Sequence, residues 1–286
     1  MFQESTTFQM FLEQANDWQV PLHNVFLDYE VTVSKRPRKV LWEMMRSRID
    51  VMQTSINEGL SKPQNSRSGL IRGDANLMQG WIDSGHSLLD PLFSKIIASA
   101  LAVAEVNACM GRIVAAPTAG SCGVLPSVLI TLAHHKKINE DELIGAFFTA
   151  GGIGIVIEQR ASLSGAAGGC QAEVGSASAM AAGGLVEMLG GSPDQVGHAI
   201  SFALTNVMGL ICDPVLGLVE VPCAKRNVLG AVNAVACAEM ALSGQKSIFS
   251  ADAIIETMGK VGRKLPEEFR ETAKGGIATI PLPDKF

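Results

Sequence analysis

Residues 168–185 read GGCQAEVGSASAMAAGGL and contain two features that recur along the chain. The first is a glycine-rich segment with a cysteine, and the second is a run of small residues, AMAAGG at 179–184. A similar run, AVNAVACA, stands at 231–238. Small side chains let packed helices approach closely. Strand signals are weak, since the chain has one tyrosine and little alternation of apolar and polar residues. The pattern therefore predicts an all-α fold.

Apolar periodicity divides the chain into a small helical N-terminal segment and a large helical domain. Residues 1–75 contain two predicted amphipathic helices, at about 8–15 and 40–52, and a linker, SKPQNSRSG, at 61–69. Residues 76–286 form the predicted large domain, with helices at about 88–111, 127–136, 140–150, 177–189, 193–209, 225–243 and 250–259. Ser192 precedes a proline and Asn139 precedes three acidic residues, which predicts a helix start at each place.

The composition indicates a chain that hides much of its surface. Hydrophobic residues make up 47% of the 286 residues and charged residues 18%, and the mean hydropathy is +0.24. Since soluble domains usually have about 25% charged residues, a thick core or a partner subunit is expected. The net charge of −5 gives no basic footprint, so we expect no nucleic-acid partner.

The sequence favours a soluble protein of the cytoplasm over a membrane protein. The longest uncharged stretch, residues 113–133, contains Pro117 and Pro126, which would break a spanning helix. The N-terminus has neither the basic lead nor the apolar segment of a signal peptide. Six cysteines do not make a disulfide scaffold in a chain of this length, so we expect a reduced, intracellular setting and no membrane contact.

Four glycine-rich segments between the predicted helices are predicted to be irregular and functional loops. They are AAPTAGSCG (115–123), AGGIG (150–154), LSGAAGGCQAEVG (163–175) and CDPVLGLVEVPC (212–223). Glycine there permits unusual backbone angles and lets the backbone approach a ligand closely. AGGIG lacks the remaining glycine and the following acid of a dinucleotide-binding pattern.

Cysteines outside and inside these loops are expected to differ in role. Cys109 and Cys237 lie in alanine-rich helical segments and are predicted to be small buried hydrophobic residues. Cys122 is compatible with a core residue, a nucleophile or a ligand. Each of Cys170, Cys212 and Cys223 has Gly, Pro or Asp beside it, but their intervals match no zinc or ferredoxin spacing. Spacing alone therefore leaves both a metal site and a buried core open.

The segment PTAGSCG at 117–123 is compatible with an anion site and with an ordinary loop. The hydroxyls of Thr118 and Ser121 and the amides of Ala119 and Gly120 could surround a substrate carboxylate. A serine nucleophile is disfavoured, because TAGSCG departs from G-x-S-x-G and no strand signal precedes it.

Five longer stretches carry a family resemblance: RSGLIRGDA (67–75), GRIVAAPTAGSCGVLP (111–126), GGCQAEVGSASAMAAGGL (168–185), CDPVLGLVEVPC (212–223) and KRN (225–227). Together they resemble the α subunit of the iron–sulfur-dependent L-serine dehydratases of the two-chain bacterial type. The resemblance implies that Cys170, Cys212 and Cys223 bind a [4Fe–4S] cluster, with Cys122 outside the ligand set. It also implies that Thr118 and its loop lie near the substrate.

The same resemblance implies a reaction, the β-elimination of water from L-serine to give pyruvate and ammonia. An iron without a protein ligand would act on the hydroxyl as a Lewis acid, and pyridoxal phosphate would not be needed. Two alternatives stay open. One is a related cluster lyase acting on cysteine or threonine, and the other is a non-catalytic iron–sulfur sensor or assembly subunit.

The general base is not evident in this chain. His134 and His135 precede two lysines and are predicted to face solvent, and His198 is predicted to be a satisfied helix residue. No histidine lies in a loop with the cysteines. In the family that the chain resembles, a serine- and histidine-rich motif belongs to the β subunit, so we expect a β partner to complete the active site.

Overall fold

A computed structural model describes residues 6–283 and confirms the all-α fold. This part of the chain forms twelve α-helices and no strand: α1 Phe8–Trp18, α2 Leu22–Ser34, α3 Arg38–Ser61, α4 Asp74–Asp83, α5 Pro91–Ala108, α6 Val124–Lys136, α7 Glu140–Arg160, α8 Gly165–Gly168, α9 Ser176–Met188, α10 Pro193–Asn206, α11 Cys223–Leu242 and α12 Ala251–Lys264. A π-helical turn, Gln171–Gly175, leads directly into α9. Short 3-10 turns lie at Ala119–Ser121, Val215–Gly217, Glu267–Phe269 and Gly276–Thr279.

Helix α9 lies at the centre of the molecule. It packs against α6, α7, α10 and α11, and all of its residues except Glu187 are buried. Because most of its side chains are those of Ala, Ser and Gly, the neighbouring helices come close. A Cβ added to Gly184 would lie 2.8 Å from the carbonyl oxygen of Ala146 in α7. The run of small residues in the sequence is therefore the contact surface of the central helix.

One hydrophobic core extends from the N-terminal helices to α12. Phe11 and Phe26, from α1 and α2, belong to the same cluster of buried side chains as Ile153 of α7 and Ile255 of α12. The rings of Phe11 and Phe26 have centroids 4.5 Å apart. The predicted linker at 61–69 is a loop that begins at the end of α3, while the division of the chain at residue 75 stays a prediction.

The predicted helix starts are confirmed by their hydrogen bonds. The Ser192 hydroxyl accepts from the Gln195 amide at 3.3 Å at the start of α10, and the Asn139 side chain accepts from the Glu142 amide at 2.8 Å at the start of α7. All seven helices predicted for the large domain are present, and so are the two predicted before residue 75. The sequence analysis missed α2, α4 and the four-residue helix α8.

The prediction of an irregular loop at AGGIG (150–154) was wrong, because these residues lie inside α7. Gly152 faces the ring of Phe26, and a Cβ on Gly154 would lie 2.9 Å from the Met180 Cε in α9. Glycine in this segment serves close helix packing instead of a backbone turn. The segment 163–175 is also partly helical, whereas 212–222 is irregular apart from one 3-10 turn.

Helix α5 has the length and apolar composition of a membrane-spanning helix. Most of it is buried inside the protein, where it packs against α3, α4, α6 and α11. The core helices of soluble proteins share these properties, so α5 alone does not indicate a membrane protein.

The packing around α9 predicts the effect of adding one methyl group. We expect Gly184→Ala to lower the free energy of unfolding by about 1–3 kcal/mol, because the new Cβ would meet a backbone oxygen that cannot rotate away. The matched control is Gly151→Ala in α7, where a Cβ would have no neighbour within 4 Å. Alanine there should be neutral or stabilise by up to about 1 kcal/mol. Chemical denaturation of both variants measures the difference, and equal stabilities would contradict the close packing.

Candidate active site

Cys170 is a neighbour of Cys212 and Cys223, which lie 42 and 53 residues later in the sequence, at one end of α9 and α11. Cys170 directly precedes the π-helical turn, Cys212 lies in the loop after α10, and Cys223 is the first residue of α11. Cys170 and Cys212 are each 4% exposed, and Cys223 is partly buried. The pKa of the Cys223 thiol is raised first by burial and then by the charge of Cys170. The pKa of the Cys212 thiol is raised by burial, by Glu173 and by both other thiols.

Burial favours the protonated form of these thiols. It raises the pKa of Cys170 to about 11 and that of Cys223 to about 12, and it raises the pKa of Cys212 still further. Sulfur binds metals as the thiolate, so a metal group here would replace the thiol protons. The Arg226 guanidinium acts on Cys170 in the opposite direction and lowers its pKa. A cationic charge beside the cysteines therefore offsets part of the effect of burial on Cys170.

The three thiols do not form the ligand set of a single metal ion. Within residues 6–283, no three His, Cys, Asp or Glu side chains converge as the ligands of one ion. A cubic iron–sulfur cluster has a different requirement, because each cysteine binds a different iron and the sulfur atoms surround a volume. Cys170 and Cys212, which are buried, and Cys223, which is partly buried, are the side chains that would hold such a cluster.

Arg226 of α11 holds the loop that carries Cys212. Its Nη1 donates to the carbonyl of Ile211 at 2.8 Å, and its Nη2 lies 2.7 Å from the Oδ1 of Asp213. The Cys212 amide in turn donates to the carbonyl of Phe269 at 2.8 Å. The position of the Cys212 thiol is thus set from both sides of its backbone.

Asn227 joins the predicted substrate loop to Cys223. Its Oδ1 accepts from the Gly123 amide at 2.8 Å, and its Nδ2 donates to the carbonyls of Gly120 at 2.8 Å and Cys223 at 2.9 Å. The residue is almost fully buried. One side chain therefore sets the separation between the loop and the start of α11.

The predicted substrate loop, residues 118–121, consists of the 3-10 turn Ala119–Ser121 and the capping residue Thr118 that precedes it. Ser121 is fully buried; its Oγ accepts from the Thr118 amide at 3.4 Å and lies 3.1 Å from the Thr118 hydroxyl. These contacts give Ser121 a structural role in the turn. The Thr118 side chain also forms a hydrogen bond with the Glu173 carboxylate. Anion binding by the amides of Ala119 and Gly120 stays a prediction.

Glu173, which the sequence analysis did not single out, lies between this loop and the cysteines. It is three residues after Cys170, and its Oε2 is 4.0 Å from the Cys212 Sγ. A Cβ on Gly120 would lie 3.3 Å from its Oε1, and a Cβ on Gly165 would lie 2.7 Å from its Oε2. Burial raises the pKa of this carboxyl group. The available signal was an acidic residue inside GCQAEVG, about one helical turn from a candidate ligand.

The other cysteines lie outside this group of thiols. Cys122 is fully buried in the main core, and its thiol faces the carbonyl of Val103 at 3.9 Å, which favours a core role. Cys237 is fully buried, as predicted. The prediction for Cys109 was wrong, because α5 ends at Ala108 and leaves this cysteine partly exposed.

The histidines do not contribute to the cysteine site. His134 and His135 are exposed at the end of α6, as predicted. His198 accepts from the Ser247 amide at 3.3 Å, which confirms a satisfied helix residue. His23 contacts Glu187 of α9 at 2.5 Å. The described part of the chain thus offers no histidine as a general base at the cysteines.

Comparison with known proteins accounts for this arrangement. A family model described as serine dehydratase alpha chain matches residues 17–278, which include every segment of the site. The chain belongs to this family. The family that the sequence motifs resemble is thereby confirmed.

Full-length relatives support the same assignment. The chain is 44% identical over 270 residues to a probable L-serine dehydratase alpha chain from Bacillus subtilis, which covers 94% of this chain and 90% of that one. It is 39% identical over 272 residues to the L-serine dehydratase alpha chain of Peptoniphilus asaccharolyticus, with 95% and 93% covered. The L-serine dehydratase TdcG of Escherichia coli is longer: 40% identity extends over 78% of this chain and 51% of that protein.

The contacts of Asn227 predict a large effect of removing its side chain. We expect Asn227→Ala to lower the free energy of unfolding by about 2 kcal/mol or more, because it leaves buried backbone groups of the loop without partners. Asn57→Ala is the control, since Asn57 makes only an exposed side-chain hydrogen bond on α3. Thermal unfolding of both variants measures the difference. Equal midpoints would show that Asn227 does not hold the loop.

Proposed function

We propose that this chain is the α subunit of an L-serine dehydratase, which removes water from L-serine and yields pyruvate and ammonia. The observation that carries the proposal is the similarity to two proteins named L-serine dehydratase alpha chain, over at least 90% of each chain compared. The names of these relatives favour serine over cysteine or threonine as the substrate. They also favour an enzyme over a sensor or an assembly subunit.

Under this proposal, Cys170, Cys212 and Cys223 bind a [4Fe–4S] cluster. When bound, the cluster would supply a Lewis acid, an iron without a protein ligand, to the hydroxyl of serine. The support is the burial of Cys170 and Cys212, the partial burial of Cys223, the proximity of the three thiols and the guanidinium of Arg226 beside Cys170. Arg226 would offset part of the negative charge that three thiolates introduce into a buried site.

The loop at 118–121 is the proposed substrate-binding segment. Its support is its attachment to Cys223 through Asn227 and its contact with Glu173. Pyridoxal phosphate has no role in the proposal. Lys225, the lysine next to the cysteines in sequence, forms an ion pair with Asp74.

We further propose a β subunit that supplies the general base and covers part of the site in a cytoplasmic enzyme. The naming of the relatives as alpha chains supports a partner chain. The segment between Cys212 and Cys223 in the sequence carries three exposed apolar side chains, Leu216, Leu218 and Val219. A partner chain would shield them from water.

The cluster proposal predicts a chromophore that depends on particular cysteines. Protein purified without oxygen should be brown, with broad absorbance near about 400 nm that air bleaches. We expect Cys212→Ala to lose this absorbance and its iron and sulfide content. Cys122→Ala should keep both, because Cys122 is a core residue outside the proposed ligand set. If Cys212→Ala keeps the absorbance, or Cys122→Ala loses it while still folded by circular dichroism, the ligand assignment is wrong.

The reaction predicts turnover that requires two chains. We expect pyruvate release from L-serine when this chain is purified anaerobically with its partner, and little or none from either chain alone. A coupled lactate dehydrogenase assay measures pyruvate, and threonine and cysteine are assayed beside serine. Faster turnover of another amino acid would revise the substrate. Absence of turnover by the cluster-loaded pair would refute the function.

A further inference from the structure

Glu173 is a carboxylate without a cationic partner inside the candidate active site. Its carboxylate accepts from the Thr118 side chain and, at 4.0 Å, from the Cys212 thiol. The ionised group that acts on it electrostatically is another carboxylate, Glu271. No lysine, arginine or histidine forms an ion pair with it in residues 6–283. Arg226, the cation of the site, pairs with Asp213 and acts on Cys170 instead.

A partly buried carboxylate in this position favours the arrival of a cation. Removing a charge from water costs free energy unless a counter-charge or hydrogen bonds replace the lost hydration. Two glycines keep space beside the carboxylate oxygens, because a Cβ on Gly120 or Gly165 would lie 3.3 Å or 2.7 Å from them. Glu173 also retains partial exposure, so a small ligand can reach it from solvent.

We infer that Glu173 binds the α-ammonium group of the amino-acid substrate. The inference rests on the proposed function and adds a recognition group to the same site. An ammonium is small, cationic and rich in donors, and it forms short charge-assisted hydrogen bonds with a carboxylate. The ammonium and the hydroxyl of serine are on adjacent carbon atoms. A contact at Glu173 therefore keeps the hydroxyl beside the thiols, of which Cys212 Sγ is 4.0 Å from the carboxylate.

This role makes Glu173 a selector for amino acids over hydroxy acids. A site built to pair a buried carboxylate with an ammonium rejects an analogue that lacks the ammonium, since the carboxylate would stay unpaired. Glycerate has the hydroxyl and carboxylate of serine but a hydroxyl instead of the ammonium, and ethanolamine has the ammonium but no carboxylate. The two compounds separate ammonium recognition from general damage to the site.

The test uses the cluster-loaded complex with the partner chain, under anaerobic conditions. We expect Glu173→Gln to raise the KM for L-serine about tenfold or more, with a smaller fall in kcat, because a neutral amide binds an ammonium less well. Calorimetry should show ethanolamine binding weakened by a similar factor and glycerate binding unchanged or tighter. The absorbance of the cluster is the control for an intact site.

Two further variants keep the test decisive. Glu271→Gln removes the exposed neighbouring carboxylate and should leave the preference between ethanolamine and glycerate unchanged. If Glu173→Gln does not fold, Glu173→Asp keeps the negative charge on a side chain that is one methylene shorter. This variant should weaken the binding of serine and ethanolamine but not that of glycerate. An unchanged KM with a lower kcat, or equal weakening of both analogues, would overturn the inference and point to proton transfer or damage. Loss of pyruvate release from the unmodified complex would instead refute the proposed function itself.

Discussion

The close packing of α9 is the constraint on which the rest of the structure depends. A helix made largely of Ala, Ser and Gly gains little from each side chain, so its neighbours must approach its backbone to exclude water. Gly184 meets the Ala146 carbonyl for this reason. The helix continues without a break from the π-helical turn that bears Glu173 and follows Cys170. The position of two site residues is thereby tied to the most buried element of the fold.

The first turns of α11 provide the second support of the site. Arg226 and Asn227 follow Cys223 by three and four residues, the spacings that bring side chains to one face of a helix. On that face, one residue is a candidate ligand, one holds the loop of Cys212 and one holds the loop at 118–121. A single helix end therefore carries one candidate ligand and positions two irregular segments. This arrangement explains how long glycine-rich loops can form a defined site.

Much of the fold could be predicted from local patterns. The all-α class follows from apolar periodicity and small-residue runs, and the starts of α7 and α10 follow from capping residues whose hydrogen bonds are local. Glycine was the ambiguous signal. In AGGIG glycine allows helices to pack closely, whereas near Cys170 it borders a turn. Which of these roles a glycine has depends on the other segments of the chain that pack against it. Helices α2, α4 and α8 were missed. In α2 the signal was present, since Leu22, Val25, Phe26 and Tyr29 have helical spacing and are buried. Helix α8 has only four residues, which is too short for a periodic pattern.

The sequence by itself determined the helical class, the family and the three candidate cysteines, because motif contexts and periodicity are properties of neighbouring residues. It did not determine which groups surround those cysteines. Asn227 bonds to Gly120, 107 residues away, and Glu173 reaches Cys212 across 39 residues. Such pairs depend on how the helices pack, and no local pattern encodes them. Only the tertiary structure revealed a carboxylate without a counter-charge beside the thiols, because burial and charge pairing exist only after distant segments meet.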